Sequence, residues 1–273
     1  MIYFLQDPAE SDSLRIEIEE LKEVLDERNT NKQSGGQYQV VTSDYFKNYD
    51  NKQFSRDLMK NHAIPVGSIE FVQSYLHEFH NIEQMNSIEI PECLRLPHLL
   101  LRDYKIVRFD QIPREGEYFV KDVSQPKGFT YFGHMKWLFS YEHNREAIDQ
   151  THMFQVSGPL DIIAEYRVIV MGTKISGIQF YDGKPTIMPT PNEIIKIQEA
   201  VARYSVQKDR ALAYAMDVAV VKVDNEIGRD LALLEMHPYC ACGSYGCRGE
   251  FLPELYRHGL RWYIEHNAPI TLK

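Results

Sequence analysis

Leu233-Leu234-Glu235-Met236-His237-Pro238 places a carboxylate and an imidazole at alternate positions of an apolar run that stops at proline. Successive side chains of a β-strand point to opposite faces. The spacing therefore predicts a strand end with Glu235 and His237 on one face and Leu234 and Met236 turned into a core. A hard and a borderline ligand side by side suit a divalent cation. A second acid, Asp217, lies inside the strand-like run Tyr214 to Val223. Flanked by Met216 and Val218, it needs an ion pair or a metal if it is buried.

Working outward, Ile162 to Met171 reads as a long strand that turns at Gly172 into Lys174 to Tyr181, a β-hairpin with Glu165 and Arg167 on one face. Tyr118 to Val123 alternates like a strand and presents Lys121. The following turn, with Pro126 and Gly128, presents Lys127 before another strand. Lys121, Lys127 and Arg167 could neutralise a triphosphate, with Asp217 and Glu235 holding the magnesium that bridges it. No Gly-x-x-x-x-Gly-Lys-Ser/Thr or Gly-x-Gly-x-x-Gly run occurs, so P-loop and Rossmann readings lose their main supports.

The N-terminal third alternates strand and helix. Ile2 to Leu5 reads as a buried strand, Ser11 to Asn29 as a helix lined by Leu14, Ile18, Leu21 and Leu25, and Tyr38 to Thr42 as a second strand. Ser68 can cap a helix running to about His80. The polar segment from His80 to Glu92 then reads as a connection, which predicts an N-terminal α/β domain over residues 1–85 and a core over 86–273. Helix spacing recurs from Asn192 to Arg203 and in the amphipathic tail Glu254 to His266, which is expected to close the core.

The chain has 273 residues, 44% hydrophobic and 25% charged, with a net charge of −9. This is the composition of a globular enzyme and lacks the basic field that nonspecific nucleic-acid binding requires. No apolar window is long enough for a membrane span, and the first residues do not resemble a signal peptide, so the expected compartment is the cytoplasm. Four cysteines, Cys93 apart from Cys240, Cys242 and Cys247, do not form a secreted disulfide framework. His237 with Cys240, Cys242 and Cys247 could supply four zinc ligands, although Cys-x-Cys is closer spacing than structural zinc sites use. Alternatively, the amides of this Gly-rich loop and Ser244 could approach a phosphate or a substrate carboxylate.

Four segments in order, Phe-Val-Lys-Asp with Lys-Gly-Phe-Thr, Ala-Glu-Tyr-Arg-Val-Ile-Val, Tyr-Ala-Met-Asp-Val-Ala-Val and Leu-Leu-Glu-Met-His-Pro, resemble the ATP-grasp superfamily, in particular the clade named for one arginine and two lysines. The resemblance implies an α/β plus α+β architecture, with a two-lobed ATP-grasp core holding nucleotide between antiparallel sheets. It implies an ATP-dependent carboxylate–amine ligase working through an acyl-phosphate, with small-molecule or peptide carboxylate and amine substrates. Carried over by position, Lys121 would contact the α-phosphate and adenine side, and Lys127 the phosphates from its turn, which Gly128 lets close. Glu165 resembles the ribose-binding acid, Phe154-Gln155-Val156 the adenine hinge, and Arg167 the contact to the γ-phosphate or to the acyl-phosphate formed from it. Asp217 and Glu235 resemble the magnesium-bridging carboxylates. His237 stands where the family usually has asparagine, which opens two alternatives, manganese as the ion or a role on the substrate. A noncatalytic ATP-binding sensor or scaffold, and a zinc-stabilised interaction module, are the other readings of these residues.

Overall fold

The computed structural model describes residues 1–10, 12–31, 36–50, 53–83, 85, 89–124, 128–140, 148–223, 228–247 and 249–267. Lys127 lies outside them. Three sheets organise the chain. The first is parallel, with β1 (Ile2–Gln6) between β2 (Gln37–Val41) and β3 (Ala63–Val66). Helix α1 (Asp12–Thr30) buries the predicted face, Ile18, Leu21 and Leu25. Helix α2 (Arg56–His62) has no counterpart in the sequence reading; it buries only Met59, which leaves little apolar periodicity to read. Helix α3 (Ile69–His80) starts as expected, where the Ser68 hydroxyl accepts the Phe71 N–H at 3.2 Å.

The second sheet is antiparallel in the order β4 (Tyr104–Arg108), β7 (Met153–Ser157), β5 (Glu117–Asp122), β6 (Thr130–His134). Two short helices, α4 (Pro97–Leu100) and α5 (Met135–Ser140), lead into β4 and out of β6. The third sheet is also antiparallel, in the order β11 (Gly228–Pro238), β10 (Ala213–Val223), β8 (Ile162–Met171), β9 (Lys174–Gly183). The β8–β9 hairpin closes through Gly172, whose φ of 64° suits a tight turn. Helix α6 (Pro191–Ser205) packs Ile197, Val201 and Tyr204 on one face of this sheet, against Val168, Met216 and Leu233.

The last helix, α7 (Leu252–Asn267), buries Leu255, Leu260 and Tyr263 in the same core as Phe4, Leu21 and Tyr75. The chain's end thus completes the core begun at its start. Gly259 permits the close approach: a Cβ there would lie 2.0 Å from the Tyr239 carbonyl oxygen.

One expectation is corrected in β11. A bulge falls where Asp217 pairs with Glu235 but Val218 pairs with Leu233, leaving Leu234 as the extra residue. Leu233 and Met236 enter the core under α6, whereas Leu234 packs near Ala219 and Val221 on the opposite face. Simple alternation fails because two consecutive residues, Leu234 and Glu235, end up on the same side.

Candidate functional site

The face of the third sheet opposite α6 carries the polar side chains. Arg167 on β8 is paired in register with Asp217 on β10, and Asp217 with Glu235 on β11. The guanidinium grips Asp217 through two bonds, Nε to Oδ1 at 2.7 Å and Nη2 to Oδ2 at 2.6 Å. The third donor, Nη1, reaches the Gly243 carbonyl at 3.2 Å. Both members are buried, 7% and 1% exposed. Burial opposes the guanidinium charge, but Asp217 outweighs it and holds Arg167 above its ordinary value. Arg167 therefore pairs across strands with Asp217, while Glu165 accepts the Tyr181 hydroxyl within the hairpin.

Glu235 is gripped from the second sheet. Lys121 on β5 donates to Glu235 Oε2, so this lysine faces the other sheet rather than solvent. On its other side, His237 Nε2 lies 3.0 Å from Glu235 Oε1 and 3.5 Å from Asp217 Oδ2. Burial disfavours the Glu235 charge, yet His237 and Lys121 hold its carboxyl well below the usual range. Burial likewise opposes the imidazolium, and the two carboxylates push His237 up to about 9. The field that favours this proton is the field that would draw in a divalent ion.

Asp217, Glu235 and His237 can each point one ligand atom into a cluster whose atoms all lie within 4.8 Å of one another. Among the described residues this is the one group of three or more His, Cys, Asp or Glu with such geometry. The cysteines do not join it. Cys240 and Cys247 are buried in the core shared with α7, and Cys242 is partly buried. Two hard oxygens and one imidazole fit a divalent cation, which would take the place of the proton that the two carboxylates favour on His237.

A cavity of about 490 Å³ opens between the second and third sheets. Lys121, Gln155, Glu165 and Glu235 line it, as do Arg102, Phe119, Tyr181, Leu234 and the segment Ser157-Gly158-Pro159-Leu160. Of the expected hinge, only Gln155 faces this space. Phe154 and Val156 point the other way, into a core with Val120 and Leu138, because strand alternation allows one residue in two on each face. Gly128 is described but does not line the cavity, and Lys127 is beyond the described residues.

A second cavity, of about 550 Å³, lies on the far side of the acids. Its walls come from α1 (Glu17), the β3–α3 turn (Gly67, Ser68), the loop after β11 (Cys242, Gly243, Tyr245) and α7 (Tyr256), together with Arg167, Glu235 and His237. Glu235 lines both cavities. Ser244 does not open to a ligand as expected. It is buried, and its N–H donates to Glu17 at 3.1 Å.

Arg102 was not legible in the sequence. Its Nη1 donates to the carbonyls of Leu100 at 3.1 Å and Leu233 at 2.8 Å, and its Nη2 donates to Leu234 at 3.2 Å. It thus clasps the bulge beside Glu235. Its partners are backbone oxygens up to 132 residues away, which no local pattern announces.

Two antiparallel sheets that enclose a cleft, with Lys121 of one meeting Glu235 of the other across it, have the architecture of the ATP-grasp class. A family profile described as an ATP-grasp domain, family 2 of the clade named for one arginine and two lysines, matches residues 100–252, and the chain belongs to that family. Among solved structures, it is similar to a D-alanine–D-alanine ligase from Bacillus anthracis complexed with ATP, at 15% identity and a TM-score of 0.53, covering 97% of this chain and 99% of that one. It is similar also to a RimK domain ATP-grasp protein from Sphaerobacter thermophilus, at 14% identity and a TM-score of 0.51, with the same coverage of 97% and 99%. At these identities the likeness shows the fold. No match was found among curated proteins. Among the described residues, no helix is long and apolar enough to cross a membrane.

Proposed function

We propose that this chain is an ATP-dependent carboxylate–amine ligase, and the observation that carries the reading is the position of Glu235, which lines both cavities. Nucleotide in the first cavity and acceptor in the second would meet over Asp217, Glu235 and His237. Gln155 and the Ser157 to Leu160 segment would bound the base, Glu165 the ribose, and Lys121 the phosphates. Lys127, with Gly128 beside it, would bring a second ammonium group from the β5–β6 turn. Residues 1–85, completed by α7, would form a domain that helps select the acceptor, since the β3–α3 turn and α1 wall the second cavity.

The chemistry follows from charge and position. A substrate carboxylate oxygen attacks the γ-phosphorus, the bond to the β-phosphate breaks, and ADP leaves with an acyl-phosphate remaining. An amine then attacks the acyl carbon, phosphate departs, and the amine proton passes to solvent or a nearby base. Arg167 faces the second cavity, where it would bind the transferred phosphoryl group, and Asp217 keeps its guanidinium fixed for that contact. Magnesium or manganese held by Asp217, Glu235 and His237 would neutralise charge developing on the phosphates. The D-alanine–D-alanine ligase from Bacillus anthracis, similar in fold, carries a name that fits this reading.

Thermal melting tests the nucleotide part directly. ATP with a divalent ion should raise the melting temperature, and Lys121→Ala should remove the shift. Incubation with pooled amino acids and short peptides should then release ADP and phosphate in step with a new amide detected by mass spectrometry. No nucleotide-dependent shift and no ADP formation would overturn the proposal.

A further inference from the structure

Resting on the reading of this cleft as a metal-supported nucleotide site, we infer that His237 is a metal ligand that tunes the site toward manganese(II) and away from magnesium. Three observations carry this. The first is the state of the imidazole nitrogen. His237 Nε2 is buried and has no partner at hydrogen-bonding geometry, although it sits 3.0 Å from Glu235 Oε1 and 3.5 Å from Asp217 Oδ2. A polar atom shielded from water in this way calls for a partner.

The second observation is spacing. An octahedral ion with ligands at about 2.1 Å holds adjacent ligand atoms roughly 3 Å apart. The two separations from Nε2 are close to that edge, and the three ligand atoms stay within 4.8 Å of one another. The third is the engagement of the remaining oxygens. Lys121 holds Glu235 Oε2, so Oε1, the oxygen nearest the imidazole, is the one left to meet an ion, while Asp217 Oδ2, which accepts Arg167 Nη2 at 2.6 Å, would offer its second lone pair.

Donor chemistry gives the direction. Magnesium keeps hard oxygen ligands and sheds water reluctantly, whereas manganese accepts an imidazole nitrogen in a mixed set. Manganese also binds most sites more tightly than magnesium, so the ratio for the native chain decides nothing by itself. The change in that ratio on removing the imidazole does.

The test uses the full chain, stripped of metal by a chelator and titrated with Mn²⁺, with free ion read by electron paramagnetic resonance and Mg²⁺ added as competitor. The titration is run without nucleotide and again with a non-hydrolysable ATP analogue. His237→Asn should weaken Mn²⁺ binding about tenfold or more while leaving the competing Mg²⁺ affinity nearly unchanged. The Mn²⁺ bound to the native chain should show nitrogen hyperfine coupling in its spin-echo spectrum, a signature that needs no variant to fold. Absence of that coupling, equal weakening of both ions, or no Mn²⁺ binding in either titration would overturn the inference. Binding of a fluorescent ATP analogue, measured separately, keeps the two readings apart. Nitrogen coupling without nucleotide binding sinks the nucleotide reading alone, and nucleotide binding without nitrogen coupling sinks the metal assignment alone.

Discussion

Asp217 and Arg167 are each the other's main compensation for burial in the middle of a sheet, and stability should report this before activity does. Asp217→Asn removes the counter-charge from a guanidinium that is 7% exposed. The expected loss is about 3–5 kcal/mol, seen as a lower midpoint in urea. The double variant Arg167→Met, Asp217→Leu should recover most of it, since apolar residues of similar size need no counter-charge. If the double variant is as unstable as the single one, the pair is not what makes the loss. His80 supplies a pH dependence. Burial first, and then Lys60, lower its pKa from 6.5 to about 4. The unfolded chain takes up this proton sooner than the folded one, so stability is fully present above pH 6.5 and is lost as pH falls toward about 4. Denaturation midpoints across that window should slope downward, and His80→Asn should flatten the slope. At this scale the sequence told a good deal. Asp217 was readable as a partnered acid because no charged residue sits unaccompanied among Met216 and Val218. Its partner was not, because whether Arg167 turns to Glu165 or Asp217 depends on which strand lies beside β8.

Elements with a full apolar period were legible, and those without one were not. Helices α1, α3, α6 and α7 and strands β8, β10 and β11 bury enough of one face to announce themselves. Strand β4, Tyr-Lys-Ile-Val-Arg, is an edge strand with no fully buried residue, so its pattern carries little signal. Strand β7 was seen only as a possible hinge, and both of its faces are buried for different reasons: Phe154 and Val156 toward a core, Gln155 and Ser157 toward the cleft. The helix–strand crossing at Gly259 gives a prediction at this scale. Gly→Ala in a helix ordinarily stabilises by up to about 1 kcal/mol, but here the added methyl meets a backbone carbonyl that cannot step aside. Gly259→Ala should lower stability by about 1–3 kcal/mol, measured by thermal and urea unfolding. A gain would mean that α7 can shift away from Tyr239 without loss of packing.

For the molecule as a whole, the parallel sheet at the start of the chain and the helix at its end share one core. Tyr3 donates to the Pro253 carbonyl at 3.1 Å, a contact spanning 250 residues. Removal of α7 from Leu252 onward should therefore unfold the N-terminal sheet rather than leave a trimmed but folded chain. Binding of a hydrophobic dye and rapid proteolysis within residues 1–85 are the expected signs; an intact protease-resistant N-terminal fragment would contradict it. The sequence marked the tail as amphipathic and placed it in a closing role. It could not say which sheet the tail closes, because apolar periodicity names a buried face and not its partner.

The bulge at Leu234 bears on how such chains are lined up. Strand β11 spends one residue more than the stretch of β10 it faces, so Ala232 and Glu235 share a side although they are three positions apart. A comparison scored on alternation alone would slide this strand by one and set Leu234 or Met236 against another chain's acid. The correct correspondence opens a single-residue gap there, held by Arg102 through the two carbonyls it clasps. Insertion length at one position, read together with an arginine more than a hundred residues upstream, thus becomes a marker for chains that aim their acid into the cleft in the same way.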